Sequence, residues 1–270
     1  MSGLIDARKY FILHAPRQTG KTSLLIHLMR QINAAGKYRA LYVNIEAAQA
    51  MRNDVLAAGA SMVQALAGAA RLYWKDFPAA EQMALAVLQQ TPNAEAVRQT
   101  LQTWSQQSDK PLIIFLDEVD ALVGDTLISL LRQIRAGYAQ RPEAFPLSMV
   151  LCGVRDVRDY RIHRPDGEII TGGSAFNIKS ESIRLGDFTQ ADVQALLQQH
   201  SAATGQVFEP AALEEIWLDT QGQPWLVNAL AYQACFRDST LRERSQTVTA
   251  VSYTHLEPTR RTPISYAVFC

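Results

Sequence analysis

At 270 residues the chain has room for one large domain, or for a core with a smaller appendage, and a hydrophobic fraction of 48% supports a sizeable interior. Lys+Arg and Asp+Glu both number 26, so no global charge draws the protein to nucleic acid or a membrane, although a local basic patch is left open. Cys152, Cys235 and Cys270 lack metal or redox spacing, no charged-then-apolar leader opens the chain, and no apolar run approaches the roughly 20 residues of a membrane helix; the expectation is a cytoplasmic protein with reduced thiols.

The apolar run Tyr10–Leu13 reads as a buried strand. Leu24, Leu25, Leu28 and Ile32 then carry a helical period, which Gly36 stops in a left-handed turn. Between them stands Ala15-Pro16-Arg17-Gln18-Thr19-Gly20-Lys21-Thr22-Ser23, which resembles the phosphate-binding loop of P-loop NTPases. Ala15 replaces the first glycine of that motif, at a position that needs a small residue more than a glycine. Backbone N–H groups of Gln18 to Thr22 can wrap a β-phosphate at the positive end of the helix dipole. Lys21 reaches the β- and γ-phosphates, and the Thr22 hydroxyl can ligate Mg²⁺.

Arg39–Ile45 alternates and is rich in β-formers, so a second strand follows. From Ala47 to Gln107 the pattern is helical, with starts at Asp54, Pro78 and Thr91-Pro92-Asn93. This block, about 47–108, is expected as an insertion packed beside the sheet, with Met62, Tyr73 and Trp74 in its core. Leu112–Leu116 is an uninterrupted run of large apolar residues ending in Asp117-Glu118-Val119-Asp120, the pattern of a central parallel strand buried on both faces. Ligands sit at the carboxyl ends of such strands. The ending resembles a Walker B motif, which implies that Asp117 holds Mg²⁺ through water and Glu118 orients or deprotonates the attacking water. Helix capping suits Asp120 and Asp125 better.

A helix over about Thr126–Gln140 and a strand over Leu147–Cys152 come next. Arg155, just past that strand, is a candidate γ-phosphate sensor; a surface ion pair with Asp156 or Asp159 is the other reading. Arg155, Arg158, Arg161 and Arg164 form an arginine-rich loop, read as a solvated segment, with an arginine finger as the alternative. Phe176–Ile178 and Ser182–Leu185 read as strands, the second being the fifth of the core. From Phe188 everything is helical: a capping box at Thr189–Asp192, a stop at Gly205, a start at Pro210, and a stop-and-restart at Gly222-Gln223-Pro224.

A Walker A loop, a D-E-x-D Walker B, a sensor strand and a helical lid with a G-x-P turn together resemble the AAA+ and STAND ATPases of the additional-strand division. Within these, D-E-V-D and G-Q-P look most like the archaeal-type, origin-recognition-like branch. The resemblance covers about Tyr10 to Ala250. It implies an α/β fold, a parallel P-loop sheet sandwiched by helices with a C-terminal helical lid, organised as a core over 1–187 and a lid over 188–250. It also implies ATP and Mg²⁺ as cofactors, and places Gly222 and Pro224 near the adenine. The absence of an [NT]-K-x-D motif favours adenine over guanine. No arginine opens the lid helix after Pro224, so the sensor-2 residue of motor-type AAA+ proteins is missing. Nine residues before Tyr10 are too few for the usual adenine-cradling segment, which suggests a clipped start.

Three function classes follow. The first is a Mg²⁺-dependent ATPase whose turnover drives a core–lid cycle; Glu118 favours it. The second is an ATP/ADP-occupied regulatory switch with little turnover, favoured by the missing arginine, acting through a protein partner or self-association. A small-molecule phosphotransferase fits the layout least. The stretch Val251–Cys270 is read as a non-native tail. Val251–Leu256 can be decoded from GTC TCT TAT ACA CAT CT, which resembles the end of a transposase adapter used in sequencing libraries. It also lacks a helical period and contains Pro258 and Pro263. A lid helix replaced by such a tail would leave apolar surface uncovered around Leu226 and Leu230.

Overall fold

Two-residue alternation along the strands sorts the core into two faces. The computed structural model describes residues 1–89, 94–156, 161–163, 169–171, 181–237 and 246–250. The chain divides into two compact units: Met1–Arg17 with Lys21–Leu185, and Gln18–Gly20 with Gly186 onward. In the first unit a short helix α1 (Ser2–Asp6) precedes β1 (Phe11–His14), α2 (Lys21–Ala35) and β2 (Arg39–Asn44). Three helices follow, α3 (Val55–Tyr73), α4 (Ala79–Gln89) and α5 (Ala96–Gln107), then β3 (Leu112–Asp117), α6 (Gly124–Gly137) and β4 (Ser148–Gly153). After an antiparallel pair, β5 (Arg161–His163) and β6 (Ile169–Thr171), β7 (Glu181–Arg184) rejoins the main sheet. The sheet order is β2-β3-β4-β1-β7, and every pairing is parallel. This is the P-loop NTPase architecture that the motifs imply.

Phe11, Leu13, Ala40, Tyr42, Ile113, Phe115, Val150 and Cys152 face α2 and pack against its Leu25, Leu28 and Met29. The alternate residues, Ile12, Leu41, Val43, Ile114, Leu116, Met149 and Leu151, pack against Met62, Leu66, Trp74, Leu101, Trp104 and Leu131 from α3, α5 and α6 and the turn after α3. Helices therefore cover both faces, and all six residues of β3 are buried. The helical block packs against one face of the sheet and supplies the layer there. Its small alanines allow close approach, and two indole bonds fasten it. Trp74 Nε1 donates to the Ala40 carbonyl of β2 at 2.8 Å. Trp104 Nε1 donates to the Ala80 carbonyl of α4 at 2.8 Å. Tyr73 is only half-buried.

One composition-based expectation is corrected here. At 19 residues, α3 is long and apolar enough to meet the size and composition of a membrane span. Its alanine-rich sequence hides this as a gentle run rather than a block of large side chains. Ala58, Met62, Val63, Leu66, Ala67 and Ala70 recur at helical spacing and face the core. Asp54 caps α3 as expected, accepting from the Ala57 N–H at 3.0 Å. Gly36 lies at φ 73°, the left-handed stop after α2. The arginine-rich stretch is not wholly loop: Arg161 lies in β5, where Ile162 pairs with Ile170 of β6. β-branched residues at Ile162, Ile169, Ile170 and Thr171 supply the reason. The expectations for Thr91-Pro92-Asn93, Arg158, Arg164, Phe176–Ile178 and Val251–Cys270 lie outside the described residues.

The second unit carries α7 (Gln190–Thr204), α8 (Pro210–Thr220) and α9 (Pro224–Tyr232), the last continuing into a π-helical turn over Gln233–Arg237. Thr189 and Asp192 form the capping box, and Gly205 closes α7 at φ 79°. Gly222 sits at φ 75°, and a Cβ there would fall 2.0 Å from the Phe188 carbonyl oxygen. Only glycine fits that turn. The Gln223 side chain then accepts from Leu226 N–H at 2.6 Å, starting α9 with Pro224 in its first turn. Val193, Leu197, Ile216, Val227, Leu230 and Cys235 form the core of this unit. Leu230 is 8% exposed and packed within that cluster, and Leu226 is half-buried.

Candidate functional site

Because β1, β3 and β4 are parallel neighbours in phase, their carboxyl ends gather in one place. His14, the last residue of β1, pairs with Gly153, the last of β4. The Ala15 N–H donates to the Gly153 carbonyl at 3.3 Å, fixing the start of the loop that runs to α2. Gln18 at φ 64° and Gly20 at φ 83° take the left-handed turns of that loop. Ala15 is 1% exposed and lies outside the left-handed region, which is why alanine can stand there. Pro16, Arg17, Gln18, Thr22 and Ser23 are exposed, and Thr19 is buried.

Lys21 opens α2 and is 7% exposed. Its Nζ donates to the Ala15 carbonyl at 2.9 Å and the Pro16 carbonyl at 2.8 Å. Among the described residues it forms no ion pair. A nearly buried ammonium whose hydrogen bonds go to two neutral carbonyls keeps a positive charge at the loop, which suits an anion.

Asp117 ends β3 fully buried, on the face that α2 covers. Its Oδ2 accepts from the Thr22 hydroxyl at 2.7 Å and from the Tyr42 hydroxyl at 2.9 Å, and its Oδ1 accepts from the Glu118 N–H at 3.0 Å. Burial and the Asp117 carboxylate push the Tyr42 phenol and the neighbouring Cys152 thiol well above their ordinary pKa values, so both stay protonated. Thr22 and Asp117 are hard oxygen donors, the type Mg²⁺ takes from protein when phosphate oxygens and water complete its shell. No three His, Cys, Asp or Glu among the described residues cluster to hold a metal unaided.

Glu118 stands in the left-handed region at φ 58°, ψ 39°, an unusual conformation for a non-glycine residue and one that concentrates at functional sites. Burial raises its pKa, reinforced by the charges of Asp117, Asp120 and Glu46, while Lys21 pulls it down. Asp120 is not a helix cap. Val123 occupies the cap position of α6, and Asp120 Oδ2 instead accepts the Val154 N–H at 3.1 Å, joining the turn after β3 to the end of β4. Asp125 lies in the first turn of α6, where its charge favours the dipole. Arg155 follows Val154 and is exposed. Gly222 and Pro224 belong to the second unit, at the turn into α9.

The first unit thus brings Lys21, Thr22, Asp117 and Glu118 together. Sequence reasoning missed Tyr42 and the bridging role of Asp120. The alternation of β2 places Tyr42 on one face, but the register that sets Asn44 opposite Asp117 is not written in either strand alone.

A family model described as the AAA-like domain matches residues 9–257. The chain belongs to the AAA-like domain family. No curated protein matches this AAA-like chain in sequence. Among solved structures, the Holliday junction branch migration motor RuvB of Thermotoga maritima is similar, with 13% identity, a TM-score of 0.51, and coverage of 94% of this chain and 64% of its own. The ORC1 protein of Aeropyrum pernix, solved in complex with DNA, shares 17% identity with a TM-score of 0.52, covering 92% of this chain and 58% of its own. Cdc6p of Pyrobaculum aerophilum shares 17% identity with a TM-score of 0.57, covering 90% and 60%. These likenesses show the fold, and the AAA-like chain spans less than two thirds of the length of each of these proteins. The resemblance to AAA+ ATPases is borne out at the level of family and fold.

Proposed function

We propose that the chain binds ATP with Mg²⁺ and hydrolyses it, using turnover to drive a conformational cycle between core and lid. Family and fold point to ATP binding and hydrolysis in general terms. One observation carries the finer reading: the buried Lys21, its ammonium bonded to two neutral carbonyls, opens the same helix whose Thr22 hydroxyl meets the Asp117 carboxylate at 2.7 Å.

In this reading the residues of Ala15–Ser23 form the phosphate cradle, with backbone N–H groups from Gln18 to Thr22 and the N-terminus of α2 facing the polyphosphate. Lys21 exchanges two carbonyls for phosphate oxygens. Thr22 and Asp117 hold Mg²⁺, which supplies charge neutralisation of the polyphosphate. Glu118, whose raised pKa makes it a better base than an ordinary carboxylate, orients water and takes its proton. Arg155 approaches the γ-phosphate. Gly222 and Pro224 are assigned to the nucleotide by the family resemblance alone.

A second reading is a switch that holds ATP or ADP and turns over little. The start of α9, Pro224-Trp225-Leu226-Val227, favours it, because it offers no arginine to complete phosphate neutralisation. Titration with Mg-ATP, with Lys21→Ala as control, tests binding. Steady-state phosphate release separates the two readings: multiple turnovers support the enzyme, and tight binding without release supports the switch. DNA belongs in the assay because ORC1 was solved with DNA and RuvB is a branch migration motor. A size measurement with ATP tests self-association or a protein partner.

A further inference from the structure

We propose that Tyr42 is a positioning residue for the metal-binding carboxylate, coupling Mg²⁺ to nucleotide; this rests on the ATP-binding reading above. Asp117 is fully buried, and a carboxyl group in that setting adopts the orientation its donors dictate. Its hydrogen bonds come from the Thr22 hydroxyl and the Tyr42 hydroxyl on Oδ2 and the Glu118 N–H on Oδ1, with the buried Cys152 thiol of β4 beside it. Of these, Thr22 belongs to an exposed loop–helix junction and Glu118 to a strained turn. Tyr42 comes from within a strand, β2, whose six residues pair in register with β3.

Its side chain lies in the cluster between the sheet and α2. Tyr42 is 8% exposed and packs with Leu28 and Met29 of α2 and with Phe115 of β3. Its own N–H approaches the Met29 sulfur at 3.3 Å. Register with Phe115 sets β2 so that a side chain two residues short of the strand end reaches the last residue of β3. The phenol therefore delivers a donor to Oδ2 from a rigid platform, and the other lone pairs of Asp117 keep a fixed direction toward the space beside Thr22. Removing the hydroxyl frees the carboxylate to rotate away from the metal. It leaves the lysine and the backbone N–H groups of the phosphate cradle untouched.

The discriminating variant is Tyr42→Phe, which keeps the ring and its packing. The test is the affinity for a fluorescent ATP analogue, measured with excess Mg²⁺ and again with EDTA, for parent and variant. A hydrogen bond to a charged group corresponds to a change of about tenfold or more. The ratio of affinities with and without Mg²⁺ should fall by about tenfold in Tyr42→Phe, while the EDTA affinity stays at the parent value. An unchanged ratio, or an equal loss with Mg²⁺ and with EDTA, overturns the positioning role. If the parent itself fails to bind the analogue, the ATP reading falls and takes this inference with it. A thermal-shift series on the same samples gives an independent reading, with stabilisation by ATP reduced in the variant only when Mg²⁺ is present.

Discussion

Gly153 and Asp120 exclude each other's growth: a Cβ on Gly153 would lie 2.6 Å from Asp120 Oδ1 and 3.1 Å from its Cγ. The carboxylate cannot swing aside freely, because its other oxygen holds the Val154 N–H at 3.1 Å. Gly153→Ala should therefore cost about 1–3 kcal/mol, the range for forced overpacking. Chemical denaturation measures it. Combining it with Asp120→Ala should recover part of that loss, and strict additivity of the two would count against the contact.

Lys21→Ala should abolish Mg-ATP binding. Its ammonium is held by the Ala15 and Pro16 carbonyls and forms no ion pair among the described residues, so its charge is the one the polyphosphate would use. Calorimetric titration checks this, and unchanged affinity would remove the phosphate-loop assignment.

Glu118→Gln should retain ATP and stop its hydrolysis, since an amide cannot take a proton from water while Asp117 is left in place. The same variant carries a stability prediction. Burial and neighbouring acids raise the Glu118 pKa above its ordinary 4.5, so the native state holds this proton more tightly than the unfolded chain does. Stability contributed by Glu118 is therefore present below that ordinary value and lost as pH rises through the folded one. Removing the charge should raise Tm at neutral pH and bring no gain under acid conditions. A Tm series across pH, read beside phosphate release, tests both halves.

Arg155→Ala should weaken ATP more than ADP, because a contact with the γ-phosphate exists only in the triphosphate. Arg155 is exposed, so the variant should fold as the parent does. Equal loss for both nucleotides would end the sensor role.

Much of this was legible in the chain because local physics writes it there. The continuous apolar run of β3, the glycine stop after α2, the capping box at Thr189 and the restart at Pro224 are short-range signals, and the structure reproduces each. What the sequence hid depends on register and on tertiary choice. Asp120 looked like a cap because an acid before a helix commonly is one, yet the β4 backbone competes for it and wins. Tyr42 looked like any strand aromatic until β2 was set against β3. The β5–β6 pair escaped notice because three-residue strands fall below the length at which alternation can be read.

The tryptophans fall into two optical classes. Trp74 and Trp104 lie at 1% and 0% exposure, edge to face with centroids 5.0 Å apart, and both indole N–H groups are bound to carbonyls of the first unit. Trp217 and Trp225 are the half-buried indoles of the second unit. Emission from the first pair should be blue-shifted and shielded from acrylamide, while the second pair should emit to the red and be quenched. Loosening of either unit thus carries its own colour, and one intrinsic spectrum, without any attached dye, follows the two halves of the molecule separately.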